Sequence, residues 1–287
     1  SARGRLGPTA EDVAKAMIVG QEKAWKAGLT GLHDFDGIRC FTAYQLLRER
    51  GQLGLRVVKN IPVAYLDHAI AVGLRSGFGD HWIRIGNVKI FADGALGPRT
   101  ALMIEPYEGE PGNYGITVTV KEEIYERGSL AAKHGLALTV HAIGDKANHD
   151  LLDVYETLRA EESAPTLPYS HTRPLRHRAE HLQIVHPQDA HRFAALNIIA
   201  SMQPIHATSD MLMSDKYWGQ RSSGAYAWRT QLKHGAVLAF GSDTPVEPIN
   251  PLWGIHAAVT RRRADGSPGE SGWYPEQRLT VSEAIDG

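Results

Sequence analysis

Several apolar segments of this chain stop on side chains that bind cations or move protons. "LTVH" ends on His141, "RAEH" on His181 and "FGSD" on Asp243, and "MQPIH" carries His206 just past its apolar part. Imidazole and carboxylate are the ligand set of zinc and related divalent ions, and the same groups act as general acids and bases. Lys89 is out of place in another way. It lies inside the apolar run 88–92 of "NVKIFADGALGPRT", which reads as a buried strand. An ammonium there must be paired, neutralised or chemically altered.

Each residue also has a plain reading. A lone His at a strand end is ordinarily a hydrogen-bonded structural residue. Asp243, ahead of Thr244 and Pro245, suits the cap of a turn or helix. Asp93, four residues after Lys89, is available as its ion-pair partner. His33-Asp34 also falls at a strand end and is taken as structural. The plain readings weaken when four such groups fall on strand ends of one sheet.

The elements that must position these groups alternate along the whole chain. Thr9 can cap a helix whose apolar stripe runs to Ala24, with Gly28 as its stop. "LTGLHDF" is a strand, "FTAYQLLRERG" a helix ending at Gly51, and "LGLRVVKNIPV" a strand. A helix near 66–76 leads to "NVKIFA". A Gly- and Pro-rich loop covers roughly 93–118, a length that is usually functional inside a compact domain. Thr119-Val-Lys-Glu122 has the form of a capping box and opens a helix ending at Gly135. Then come the strand "LALTVH", a helix over 145–160, and a polar connection to the strand "LRHRAEH". Pro187 opens the next helix, "NIIASMQ" is a strand, a helix at 228–234 stops at Gly235, "AVLAFGSD" is the last strand, and Pro251 opens a helix to about 262. Seven strands alternating with helices predict a parallel sheet with helices on its faces. A doubly wound sheet and a (β/α)₈ barrel compete. No strand runs into a Gly-rich phosphate turn, which favours the barrel with one strand missing from the count.

The bulk properties set the outer bounds. The 287 residues suffice for one large domain. Formal net charge is −1, with 43% hydrophobic and 22% charged residues, so nothing points to nucleic acid or an anionic membrane surface. No apolar run approaches a membrane span. One cysteine, Cys40, excludes an internal disulfide framework, and a cytoplasmic location is the default expectation. The 14 histidines are roughly twice ordinary usage. The chain opens on Ser1 without an initiator Met. It ends at Gly287, just after a second capping box at 280–283. Both ends read as those of a piece of a longer protein or of a processed chain.

Five motifs, "VKIFADGALGPRTA", "HAIGDKAN", "RAEHLQIVHPQD", "ASMQPIHATSDM" and "GSDTPVEPINPLWGIHAAVTR", resemble successive motifs of the amidohydrolase superfamily. The branch is amidohydrolase family 3, which includes N-substituted formamide deformylases, and the resemblance runs from about residue 28 to 263. It implies a (β/α)₈ barrel with one or two divalent ions at its mouth, zinc first among them. It implies that Lys89 is N-carboxylated by CO₂ and that the ligands are Lys89, His141, His181 and Asp243. Asp243 would be the catalytic base and then acid while a metal-activated water cleaves a C–N amide-type bond of a small molecule. His206 and Arg99 are candidates to hold the substrate, a structural His and a salt-bridged Arg being the plainer readings.

One departure matters. The family has a His-x-His pair on its first strand, and no two of these histidines stand two residues apart. "LTGLHDF" then corresponds to strand two. The expectation is a barrel domain over 1–287 that lacks strand one and the C-terminal β-sandwich segment. An inactive remnant with a structural or binding role is the competing reading, and an unclosed edge would invite cover by a homo-oligomer. A metal-free barrel acting on phosphorylated substrates is weaker, since Pro245 and Pro248 stand where backbone amide donors would be needed.

Overall fold

The computed structural model describes residues 7–163 and 174–287; part of the polar connection ahead of "LRHRAEH" lies outside them. In chain order the elements are α1 (Ala10–Lys26), β1 (Gly31–Asp34), α2 (Ile38–Glu49), β2 (Arg56–Pro62), α3 (Leu66–Ala71), β3 (Ile83–Phe91), α4 (Lys121–Lys133), β4 (Leu138–Ala142), α5 (Asp145–Glu162), β5 (Arg178–His181), α6 (Arg192–Ala195), β6 (Ile199–Met202), α7 (Pro204–Trp218), α8 (Trp228–Lys233), β7 (Leu238–Phe240), α9 (Pro251–Thr260) and α10 (Val281–Asp286).

The seven strands form one parallel sheet in sequence order, β1 to β7, curled as part of a (β/α)₈ barrel. Among the described residues β1 and β7 are its two ends. Alternation sorts the side chains. Val88, Ile90, Leu138, Val140, Ala179 and Ala200 face outward, are at most 1% exposed and pack in one apolar cluster with Leu151, Leu152, Tyr155 and Leu158 of α5. Burying each large aliphatic group there contributes about 1.5–3 kcal/mol. The register stacks the opposite face in layers: Lys89 beside Thr139 beside Arg178, and Phe91 beside His141 beside Glu180 beside Ser201. The inner face is therefore polar where the outer face is greasy.

Local signals explain most boundaries. Thr9 caps α1 in a box with Asp12, and Thr280 caps α10 in a box with Glu283. Gly28 and Gly235 follow helices at positive φ, the conformation glycine adopts without a Cβ clash. Three expectations shift. The helix near 66–76 is only α3. The box at 119–122 does not form: α4 begins after Val120 with no side-chain cap. The reason lies just past β3, where the Ala92 carbonyl accepts from the amides of Val118 and Thr119 and ties that stretch to the strand end. The third is an addition to the expected helices: α7, a long helix directly after β6 with Pro204 at its first position.

Candidate metal centre

Lys89 lies on the inner face of β3, two residues before the strand's end, and is 7% exposed. Asp93 is not its partner. The Asp93 carboxylate accepts from the amides of Leu102 (2.9 Å), Ile143 (3.0 Å) and Gly144 (2.9 Å), and so joins the loops after β3 and β4. Burial lifts Asp93 to about 7, against those three amides, which favour its charged form. A Cβ on Gly144 would lie 1.9 Å from the Leu102 carbonyl oxygen, so the two loops approach this closely only because residue 144 is glycine. Lys89 Nζ instead lies over the rings of Phe91 (4.6 Å) and Phe35 (5.1 Å). Among the described residues it forms no ion pair. Burial brings its ammonium down to about 8, opposed by the carboxylates of Glu180 and Asp243. A contrast stands on the next strand. Lys59 on β2 is equally buried, but its Nζ is 2.5 Å from Asp34 Oδ1, and Tyr44 donates to the other oxygen of Asp34 at 2.8 Å. One buried lysine is paired and the other is not.

Two imidazoles lie within reach of the Lys89 charge. His141, at the end of β4, and His181, at the end of β5, meet edge to face with centroids 4.6 Å apart. His141 Nε2 is 2.8 Å from the Gly94 carbonyl oxygen. A carbonyl only accepts, so this nitrogen carries the proton and Nδ1 keeps its lone pair. His181 Nδ1 is 2.8 Å from Gln203 Oε1. His181 and Leu182 both have positive φ, 84° and 43°, as does Asp243 at 56°. Such backbone is strained for residues with a Cβ and gathers at functional sites. His206, in the first turn of α7, lies near-parallel to His181 at 6.2 Å. It is 5% exposed, and neither ring nitrogen has a hydrogen-bond partner among the described residues.

Burial keeps all three rings neutral at neutral pH, the form that ligates cations. It lowers His141 to about 4, opposed by the bond to Gly94, and burial alone lowers His206 to about 4. His181 falls well below its ordinary value through burial and then the proximity of His141, Lys89 and His206. Asp243, past the end of β7, stays open to solvent. Crowding there raises its carboxyl, while Lys89 pulls the other way. Asp243 is no helix cap, because Asn250 caps α9. The ligand atoms of His141, His181 and Asp243 do not all fall within 4.8 Å of one another. Asp34, Asp36 and Cys40 do, but Lys59 already occupies Asp34, and burial with the nearby Asp34 and Asp36 charges raises the Cys40 thiol to about 11. That cluster is a neutralised structural pair, in keeping with the structural expectation for Asp34.

Arg99 lies apart, in the loop after β3. Its Nε is 2.6 Å from Glu110 Oε1 and its guanidinium stacks over Tyr217 at 5.1 Å, the salt-bridged alternative. Two residues escaped the sequence reading. Glu180, 4% exposed, accepts from Arg178 Nε at 2.8 Å and from Thr139; the signal was available, a charged residue inside an apolar strand, as with Lys89. Gln203 carried no signal, since a glutamine after a strand is ordinary.

The sequence matches the amidohydrolase family over residues 3–286. Protein LONG AFTER FAR-RED 3 of Arabidopsis thaliana is 38% identical over 206 residues, covering 71% of this chain and 33% of that protein. Putative amidohydrolase YtcJ of Bacillus subtilis (strain 168) is 32% identical over 280 residues, 95% of this chain and 50% of that protein. An uncharacterized metal-dependent hydrolase from Pyrococcus horikoshii OT3 superposes with a TM-score of 0.84 at 28% identity, over 98% of this chain and 55% of that one. The chain thus spans a third to a half of the length of these curated relatives. With a family match of this extent, the chain belongs to the amidohydrolase family.

Proposed function

We propose that this chain carries part of the metal centre of a hydrolase that cleaves a C–N amide-type bond in a small molecule. The observation that carries the reading is the unpaired, buried Lys89 beside two neutral imidazoles and a strand-end carboxylate. The donor set suits a borderline divalent ion such as zinc. Two lone pairs are presented, on His141 Nδ1 and His181 Nε2. With its pKa brought down to about 8, Lys89 Nζ gives up its proton more readily than an ordinary lysine, and the neutral amine can form an N–C bond to CO₂ and release a proton. The carbamate so formed would add anionic oxygens to the donors offered by His141, His181 and Asp243. The orphaned nitrogens of His206 leave a further polar group unsatisfied in the same place, a state that buried groups rarely keep without a ligand.

When bound, the ion supplies Lewis acidity toward the scissile carbonyl and toward water. Asp243 would accept the proton from the attacking water and pass it to the departing amine, a role its raised pKa favours. His206, neutral and buried, would donate a hydrogen bond to the oxygen on which charge develops. Arg99 would reach substrate only after exchanging Glu110, so its contribution would be to shape the loop.

Titration of the metal-free protein with Zn²⁺ tests the reading. Wild type should bind, and His181→Ala and Asp243→Ala should each weaken binding by about tenfold or more. Unchanged binding in both variants would sink the assignment.

A further inference from the structure

We propose that Gln203 is a positioning residue: its side-chain oxygen holds the proton of His181 on Nδ1, so that Nε2 faces Lys89 and His141 with a free lone pair. This deepens the reading above and rests on His181 being a ligand. Gln203 directly follows β6 and is the N-cap residue of α7, extended at φ −121° and ψ 96°, with Pro204 next. That backbone offers no side-chain cap bond to the helix. The amide is thereby released toward the neighbouring strand end, where Oε1 meets His181 Nδ1 at 2.8 Å. Both residues are buried, at 7% and 9% exposure, so water does not compete for the bond. Pro204 and the strand pairing of β6 fix one end of the contact. The left-handed backbone of His181 aims the other.

Chemistry favours an amide here over the carboxylate that often supports a ligating histidine. The site already holds Asp243 and Glu180, and a carbamate on Lys89 would add another negative charge. An amide oxygen fixes the tautomer without a further anion in a poorly solvated space. In water, unsupported imidazole favours the proton on Nε2, which would occupy the nitrogen that the cation needs. Removing the acceptor should therefore cost affinity by prototropy, with no ligand removed.

Two readouts on the full chain test this. The first is ¹⁵N chemical shifts of the His181 ring in metal-free protein at neutral pH, assigned by their loss in His181→Ala. Wild type and Gln203→Glu should show protonated Nδ1, and Gln203→Leu should shift toward protonated Nε2. The second is Zn²⁺ affinity by chelator competition. Gln203→Leu should bind about 10- to 100-fold more weakly, and Gln203→Glu should recover most of that loss. If Gln203→Leu does not fold, Gln203→Met supplies the same comparison. A variant that lacks the acceptor yet keeps protonated Nδ1, or that changes tautomer with no loss of Zn²⁺ affinity, overturns the proposal. Unchanged Zn²⁺ affinity in His181→Ala would instead overturn the ligand reading on which it rests.

Discussion

The rings of His141 and His181, on adjacent strands, meet edge to face at 4.6 Å, and each has one nitrogen engaged by a carbonyl oxygen, that of Gly94 or of Gln203. Opposite nitrogens are engaged, Nε2 in one ring and Nδ1 in the other. The remaining lone pairs belong to neutral rings beside an unpaired lysine. This arrangement of donors organises the predictions that follow.

Lys89 and Lys59 should respond in opposite directions to the same substitution. Lys59→Met strands the buried Asp34 carboxylate and should cost about 3–5 kcal/mol of folding stability. Lys89→Met removes a buried ammonium that has no ion-pair partner among the described residues. With a pKa near 8 rather than 10.5, that ammonium weakens the metal-free fold by about 3 kcal/mol below pH 8, less what the two aromatic faces return. Urea unfolding of metal-free protein at pH 7 should show Lys89→Met at least as stable as wild type, while Zn²⁺ binding is lost. A clear destabilisation would mean that Lys89 has a partner of another kind.

Acid should destabilise the metal-free protein through its buried imidazoles. His206 titrates near 6.5 when unfolded and near 4 when folded. Between these values the unfolded chain holds a proton that the folded chain lacks, so stability rises with pH across that window and is lost as pH falls through it. The slope from one such group is at most about 1.4 kcal/mol per pH unit. Unfolding curves at pH 5, 6 and 7 should be less steeply pH-dependent in His206→Asn than in wild type; equal slopes would mean that His206 is solvated.

Asp93 should behave as a structural joint. Asn offers one acceptor oxygen where the carboxylate serves the amides of Leu102, Ile143 and Gly144. Asp93→Asn leaves at least one buried amide unsatisfied, at about 1–3 kcal/mol, and loosens the loop whose Gly94 carbonyl orients His141. Thermal unfolding should fall and Zn²⁺ binding weaken together. Weaker binding at unchanged stability would point to a direct role at the cation instead.

Arg99 and Glu110 should act as one unit. Both are about a third exposed, so solvent screens the pair and their coupling in a double-mutant cycle should be small. Arg99→Ala and Glu110→Ala should alter substrate KM similarly, through the loop. A much larger KM effect from Arg99→Ala alone would show that the guanidinium leaves Glu110 to bind substrate.

The barrel was legible in the sequence because strand and helix signals alternate cleanly. The strand ends could be read because a His or Asp closing an apolar run stands out. Lys89 was conspicuous for the same reason, an ammonium among aliphatic residues. What stayed hidden depends on contacts between distant segments. Asp93 looked like a partner for Lys89 by proximity in sequence, yet backbone amides from β4's loop claim it. Thr119 looked like a cap, yet its amide is tied to Ala92. The positive φ of His181 has no signature in a residue type that ordinarily avoids it. Gln203 has meaning only once β5 and β6 lie side by side.

The most direct test is anomalous diffraction at the zinc edge from crystals grown with Zn²⁺ and bicarbonate. The account predicts at least one peak about 2.0–2.1 Å from His141 Nδ1 or His181 Nε2, with carbamate density continuing from Lys89 Nζ toward it. Peaks confined to other parts of the molecule, or a bare Nζ beside a filled site, would contradict it.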